Sequence, residues 1–135
     1  MKTLLASLLV ALALVGAGWS EDMHMKNVST LQPAAAAQLT DQKDDNGNTK
    51  LKIHVYHLAK ADALTPAREA YVVWIEPSGQ PAQNMGVIKV NDNLESEFST
   101  RTPFKKFKVY VTAEDGPKVT TPGGDKILEA NVDRD

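Results

Sequence analysis

The side chains best able to do chemistry in this chain are few and scattered. Histidines stand at positions 24, 54 and 57, and there is no cysteine. Without a thiol there is no disulfide, no cysteine nucleophile, no thiolate metal site and no cysteine to carry a lipid. Asp22-Met23-His24-Met25 joins an imidazole to two thioethers, ligands that soft copper accepts. No second cluster of His or Met completes that sphere, and the same residues also read as a polar stub. His54 and His57 lie three apart on an expected strand, which sets them on opposite faces and prevents joint chelation. Asp44-Asp45-Asn46-Gly47-Asn48 matches part of a calcium loop. Gln42 stands where that loop needs its first acid and Ile53 where it needs its bidentate Glu, so a tight turn accounts for the segment.

Hydrolytic chemistry finds no better footing. Ser78, Ser96 and Ser99 are not in a G-x-S-x-G elbow, and only two histidines fall inside the expected domain to serve as a base. Glu95 and Glu97 share a strand face, and an exposed sheet surface explains them. Arg101, Lys105, Lys106 and Lys108 form the densest basic cluster, but the chain carries a net charge of −2. On such a chain the cluster reads as a strand edge protected from aggregation rather than as a nucleic-acid surface. Asn27-Val28-Ser29 matches a glycosylation acceptor, used only in a eukaryotic secretory route. The residues predict no enzyme, no cofactor and no nucleic-acid partner.

The elements that must position these residues begin after an address. Residues 1–20, MKTLLASLLVALALVGAGWS, run from a basic start at Lys2 through an apolar stretch to Gly16-Ala17-Gly18. That order is a secretory signal peptide with its cut expected between Ala17 and Ser20. The apolar stretch from Leu4 is shorter than the roughly 20 residues of a membrane span. An exported protein, periplasmic or extracellular, is expected, with no membrane span once the signal peptide is cleaved. Residues 21–48 read as a polar, Ala-rich leader with at most one weak strand or short helix, ending in a turn at Asn46-Gly47.

Residues 49–135 read as the domain proper. Leu51, Ile53 and Val55 alternate with Lys52, His54 and Tyr56, the period of a half-buried strand. Ala70–Glu76 is apolar on both faces and predicts a strand covered on each side, with Tyr71 and Trp74 as core rather than platform. Pro77–Pro81 is a turn cluster. Met85–Val90 and Leu94–Thr100 predict a hairpin about Asn91-Asp92-Asn93. Lys106–Ala113 alternates with Phe107, Val109 and Val111 inward, and Lys126–Val132 closes the chain. Ala59–Glu69 is long enough to cross between sheets or to hold a helical turn before Pro66. Val72, Trp74, Val87, Ile127 and Leu128 join the expected inward set. The whole predicts an all-β fold, an antiparallel sandwich of about six to seven strands.

The second half carries a family pattern. Tyr71-Val-Val-Trp74-Ile75, Asn84-Met-Gly86 leading to Val90, Phe107–Glu114 with its Thr112 and Glu114, and the turn at Pro122 follow one another in order. This series resembles the exported C-terminal domain of anti-sigma-K factors and stand-alone exported proteins similar to it. The resemblance spans about residues 49–132 and implies an immunoglobulin-like β-sandwich, with Asn84–Gly86 at a hairpin and the motif residues in structural roles. In that family the exported domain senses or regulates, while a cytoplasmic helical domain captures the sigma factor. This sequence shows no such cytoplasmic domain and no His-Cys-Cys zinc signature. The expected function is therefore non-enzymatic contact with a protein or an envelope component, and the resemblance implies a link to regulation of a sigma factor. The alternative is a periplasmic small-ligand or copper-binding protein using Met23, His24 and Met25 or the strand bearing His54 and His57.

Overall fold

A computed structural model describes residues 20–134. Residues 1–19, where nearly all of the expected signal peptide falls, lie outside the described residues. Nine strands follow: β1 (Ser20–His24), β2 (Lys26–Asn27), β3 (Ala36–Lys43), β4 (Thr49–Tyr56), β5 (Ala70–Pro77), β6 (Gln83–Ile88), β7 (Ser96–Thr102), β8 (Lys106–Glu114) and β9 (Asp125–Asp133). They form two antiparallel sheets, one of order β1-β3-β4-β7 and one of order β2-β9-β8-β5-β6. The expected all-β antiparallel sandwich is present, with nine strands among the described residues rather than six or seven. Among the described residues no helix is long and apolar enough to cross a membrane.

The core lies between the sheets. Leu39, Leu51, Ile53 and Val55 face Tyr71, Val73, Ile75, Val109, Val111, Ile127 and Leu128, all buried. Alternation explains most of it: in β4 every second residue from Thr49 is buried and the intervening ones are not. Ile127 and Leu128 both point inward because the β8–β9 register slips between Val111 and Thr112, leaving Ile127 without a partner.

Several expectations need correction. The leader is not a leader: β1, β2 and β3 belong to the sandwich, and β3 pairs along all eight residues with β4. Its inward residues are Ala37, Leu39 and Asp41, two of them small or acidic, so the alternation carries little hydrophobic contrast. Val72 and Trp74 are buried on the opposite side of β5 from the inter-sheet core, in a second cluster with Tyr110. A strand apolar on both faces has no polar residue to mark which face is inner. Val87, paired with Val72, is half-buried on that same outer side. Finally, Asn91–Asn93 is no hairpin, because β6 and β7 lie in different sheets. The turn carries the chain across the sandwich, held by Asn91 Oδ1, which accepts the backbone N–H of Asn93 and Glu95.

Most other readings hold. Gly47 takes φ of 81° in the β3–β4 turn, a conformation that suits glycine. Asp44 Oδ1 accepts the N–H groups of Asn46 and Asn48 there, as a tight turn requires. The Ala59–Glu69 connection both crosses between sheets and holds a 3-10 turn at Ala61–Ala63. The cluster expected to protect a strand edge is divided: Arg101 stands on the edge strand β7, but the lysines of β8 protect no edge. β8 is paired on both sides, so Lys106 and Lys108 stand on the face of an interior strand.

Candidate functional site: the tethered loop end

Antiparallel order brings four connections to one end of the sandwich: residues 28–35, 57–69, 89–95 and 115–124. Buried side chains tie down three of them, 28–35, 57–69 and 115–124, while the exposed Asn91 side chain caps the 89–95 turn. Glu114, at the end of β8, is only 4% exposed. Its carboxylate accepts the Thr112 hydroxyl at 2.5 Å and the backbone N–H groups of Gly123 and Gly124 at 3.2 and 3.1 Å. Thr112 Oγ1 in turn accepts the indole N–H of Trp74 at 2.8 Å. Trp74, Thr112 and Glu114 thus form one continuous hydrogen-bonded chain that ends on the backbone of the 115–124 loop. Buried polar groups are costly unless paired, and here every link has a partner. Gly124 could be no other residue without movement: a Cβ would lie 1.7 Å from the Ala113 carbonyl oxygen.

Asn84 holds the same loop from the other side. Its Nδ2 donates to the carbonyls of Pro117 and Val119 at 3.0 and 2.8 Å, and its Oδ1 accepts Gly86 N–H. Asn84 and Gly86 do not form a hairpin, which is made instead by residues 78–82. They flank a bulge inside β6, opposite Val73 and Trp74, and Gly86 takes φ of 130° over the Phe98 ring.

A second clamp works on the inner side. The Tyr71 hydroxyl donates to Ala59 O at 2.5 Å and accepts from Gln32 Nε2 at 3.0 Å, while Gln32 Oε1 accepts Ala59 N–H at 2.9 Å. This closed triangle fastens the β4–β5 crossover to the 28–35 loop. Burial pushes the Tyr71 hydroxyl above its ordinary pKa, an effect the Gln32 hydrogen bond partly offsets. Gln32 was hidden from sequence reasoning by its place in the presumed leader. Its neighbour Asn27 donates to the carbonyls of Gln32 and Ala35 at 2.8 and 2.7 Å, so the amide of the glycosylation motif is committed to the loop.

Of the seven motif residues, Trp74, Asn84, Thr112 and Glu114 converge on the 115–124 loop. Gly86 shapes the strand beside it and Tyr71 acts on the other face. Pro122 is exposed in the loop itself. No family model, curated protein or solved structure matches this chain. Its chemistry must therefore be read from its own geometry.

Between the fastened loops lies a cleft of about 810 Å³, walled by Ala61, Ala70, Val87, Val90 and Pro117. Lys60, Arg68 and Lys89 stand at its rim with Asp62 and Glu69. Lys60 pairs with Asp92 at 2.8 Å and Arg68 with Asp115 at 2.9 Å, and both acids are largely exposed. The hydrogen bond from Lys60 holds the Asp92 carboxyl below its usual range.

The copper candidates do not converge. Met25 is buried and Met23 packs against the inter-sheet core, whereas His24 is exposed. His57 lies past the end of β4 with φ of 54°. His54 stacks on Tyr56 with ring centroids 4.3 Å apart and lies 3.3 Å from Glu95 and 3.8 Å from Glu97. Among the described residues, no three His, Cys, Asp or Glu side chains are set to hold a metal ion.

Proposed function

We propose that this protein is an exported, non-catalytic recognition module that binds a protein partner through the cleft at its loop end. The observation that carries this reading is the convergence of two buried clamps on the loops that frame one apolar cleft. Loops otherwise move and lose entropy on binding, and fixing them in advance removes part of that cost. Apolar walls with exchangeable ion pairs at the rim are the anatomy of a protein-binding patch, an apolar centre inside a polar border. The sequence resemblance to the exported domain of anti-sigma-K factors supports the same reading, and extends it to a sensory role in the envelope linked to a sigma factor.

A photo-crosslinking amino acid placed at Val87 or Lys89, in cells that export the protein, tests it. A discrete adduct is expected from both positions and none from Gln80 in the turn at the opposite end. Val87→Glu should abolish the adduct formed from position 89. Equal crosslinking from Gln80, or an adduct indifferent to Val87→Glu, would remove the cleft from the account.

A further inference from the structure

The outer face of the four-stranded sheet bears a cluster of cations at the end away from the cleft. The β4–β7 register sets Lys50 directly opposite Arg101, and Lys52 stands two residues along on the same face. Like charges placed opposite one another on a sheet repel, so the arrangement favours an added anion. Arg101 has Asp44 at 3.9 Å. Lys50 and Lys52 have no ion-pair or hydrogen-bond partner among the described residues.

Uncharged polar groups stand between these cations, and the carboxylates of Asp22, Asp44 and Glu97 border them. Gln42 lies opposite Lys50, Thr40 and Ser99 lie on either side of Lys52, and Asp22 at the border accepts the Thr40 hydroxyl. Thr40, Gln42, Lys50 and Lys52 line a shallow depression of about 210 Å³.

We propose that this face binds an acidic polysaccharide, a carboxylate- or sulfate-bearing glycan strand laid across β3, β4 and β7. The cations match its charge. The hydroxyl and amide groups between them supply the hydrogen bonds that sugar hydroxyls require. A bilayer surface fits less well, because the exposed large hydrophobic side chains, Leu31 and Leu94, sit in loops at the opposite end. A nucleic acid fits less well too, because the nearest rings on this face, His54 and Tyr56, lie beyond Lys52 and stack on each other rather than standing free between the cations to stack on a base. The site is separate from the cleft, so either can fail without the other.

Biolayer interferometry of the full chain at low salt tests it, with immobilised polygalacturonate, dextran sulfate, neutral dextran, duplex DNA and phosphatidylglycerol vesicles. Both acidic glycans should bind and neutral dextran should not. Lys50→Glu with Lys52→Glu should weaken glycan binding about tenfold or more, whereas Lys105→Glu with Lys108→Glu, an equal change of charge elsewhere, should alter it less than about twofold. Should the first pair shift the urea midpoint, Lys50→Gln with Lys52→Gln replaces it. Failure of both acidic glycans to bind, equal losses in the two charge variants, or tighter binding of DNA or vesicles would overturn the proposal.

Discussion

The two sheets turn very different outer faces away from a shared core. The five-stranded sheet buries its outer side under the 115–124 loop, where Val72, Trp74 and Tyr110 form a second small core. Lys126 lies 4.4 Å from the centre of the Tyr110 ring, whose hydroxyl donates to Glu76. The four-stranded sheet leaves its outer side to water, with Lys50, Lys52 and Gln38 exposed and His54 half-buried. One sheet has become a three-layer arrangement of core, sheet and loop, and the other remains two. The difference is written in β5 and β4. The first is apolar at nearly every residue, while the second alternates, so only the first has something to hide on both sides.

Mutations should separate the faces sharply. Trp74→Ala removes the centre of the second core and the donor to Thr112. It should cost about 3–5 kcal/mol in urea unfolding, comparable to a large share of a small domain's stability. Glu114→Ala leaves a hydroxyl and two backbone N–H groups without their acceptor. A loss of about 2–3 kcal/mol is expected, with hydrogen exchange at Gly123 and Gly124 speeding up more than that of β4. If the loop amides stay protected in this variant, the loop is held by something other than the carboxylate.

Alkaline pH sharpens the contrast further. Burial first, then the hydrogen bond and charge of Glu76, push the Tyr110 hydroxyl far above its ordinary value, and burial also raises Tyr71. A raised folded pKa means the unfolded chain loses its proton first. The stabilisation is therefore whole below the ordinary tyrosine pKa near 10 and is lost as pH climbs from there through the folded values. Urea midpoints should fall above about pH 10, and Tyr110→Phe should blunt that fall. The smallest effect belongs to the open face, where Lys52→Ala should change stability by less than about 0.5 kcal/mol.

Much of the sandwich was legible because alternation and turn residues speak locally. Leu51, Ile53 and Val55 declared their face, and Asn46-Gly47 declared its turn. Strand β3 was not legible, because its inward positions include Ala37 and Asp41, which look like loop residues until a partner strand supplies the burial. The phase of β5 was hidden for the opposite reason, an excess of apolar residues. At the site, Trp74, Thr112 and Glu114 stood out as a pattern, but their linkage runs between β5 and β8 and no spacing within either strand reveals it. Gln32 and Ala59 meet across 27 residues of sequence, and only the folded crossover brings them together.

The clamps on the 115–124 loop grip main chain alone: the carbonyls of Pro117 and Val119 and the N–H groups of Gly123 and Gly124. Such a grip is blind to most of the side chains it holds. Lys118, Thr120 and Thr121 are exposed between the anchors and take no part in them. Their identities can drift over generations at little cost to folding, while the loop keeps its course. The fold in effect separates inheritance of shape from inheritance of specificity, so related chains could share this scaffold and still meet different partners.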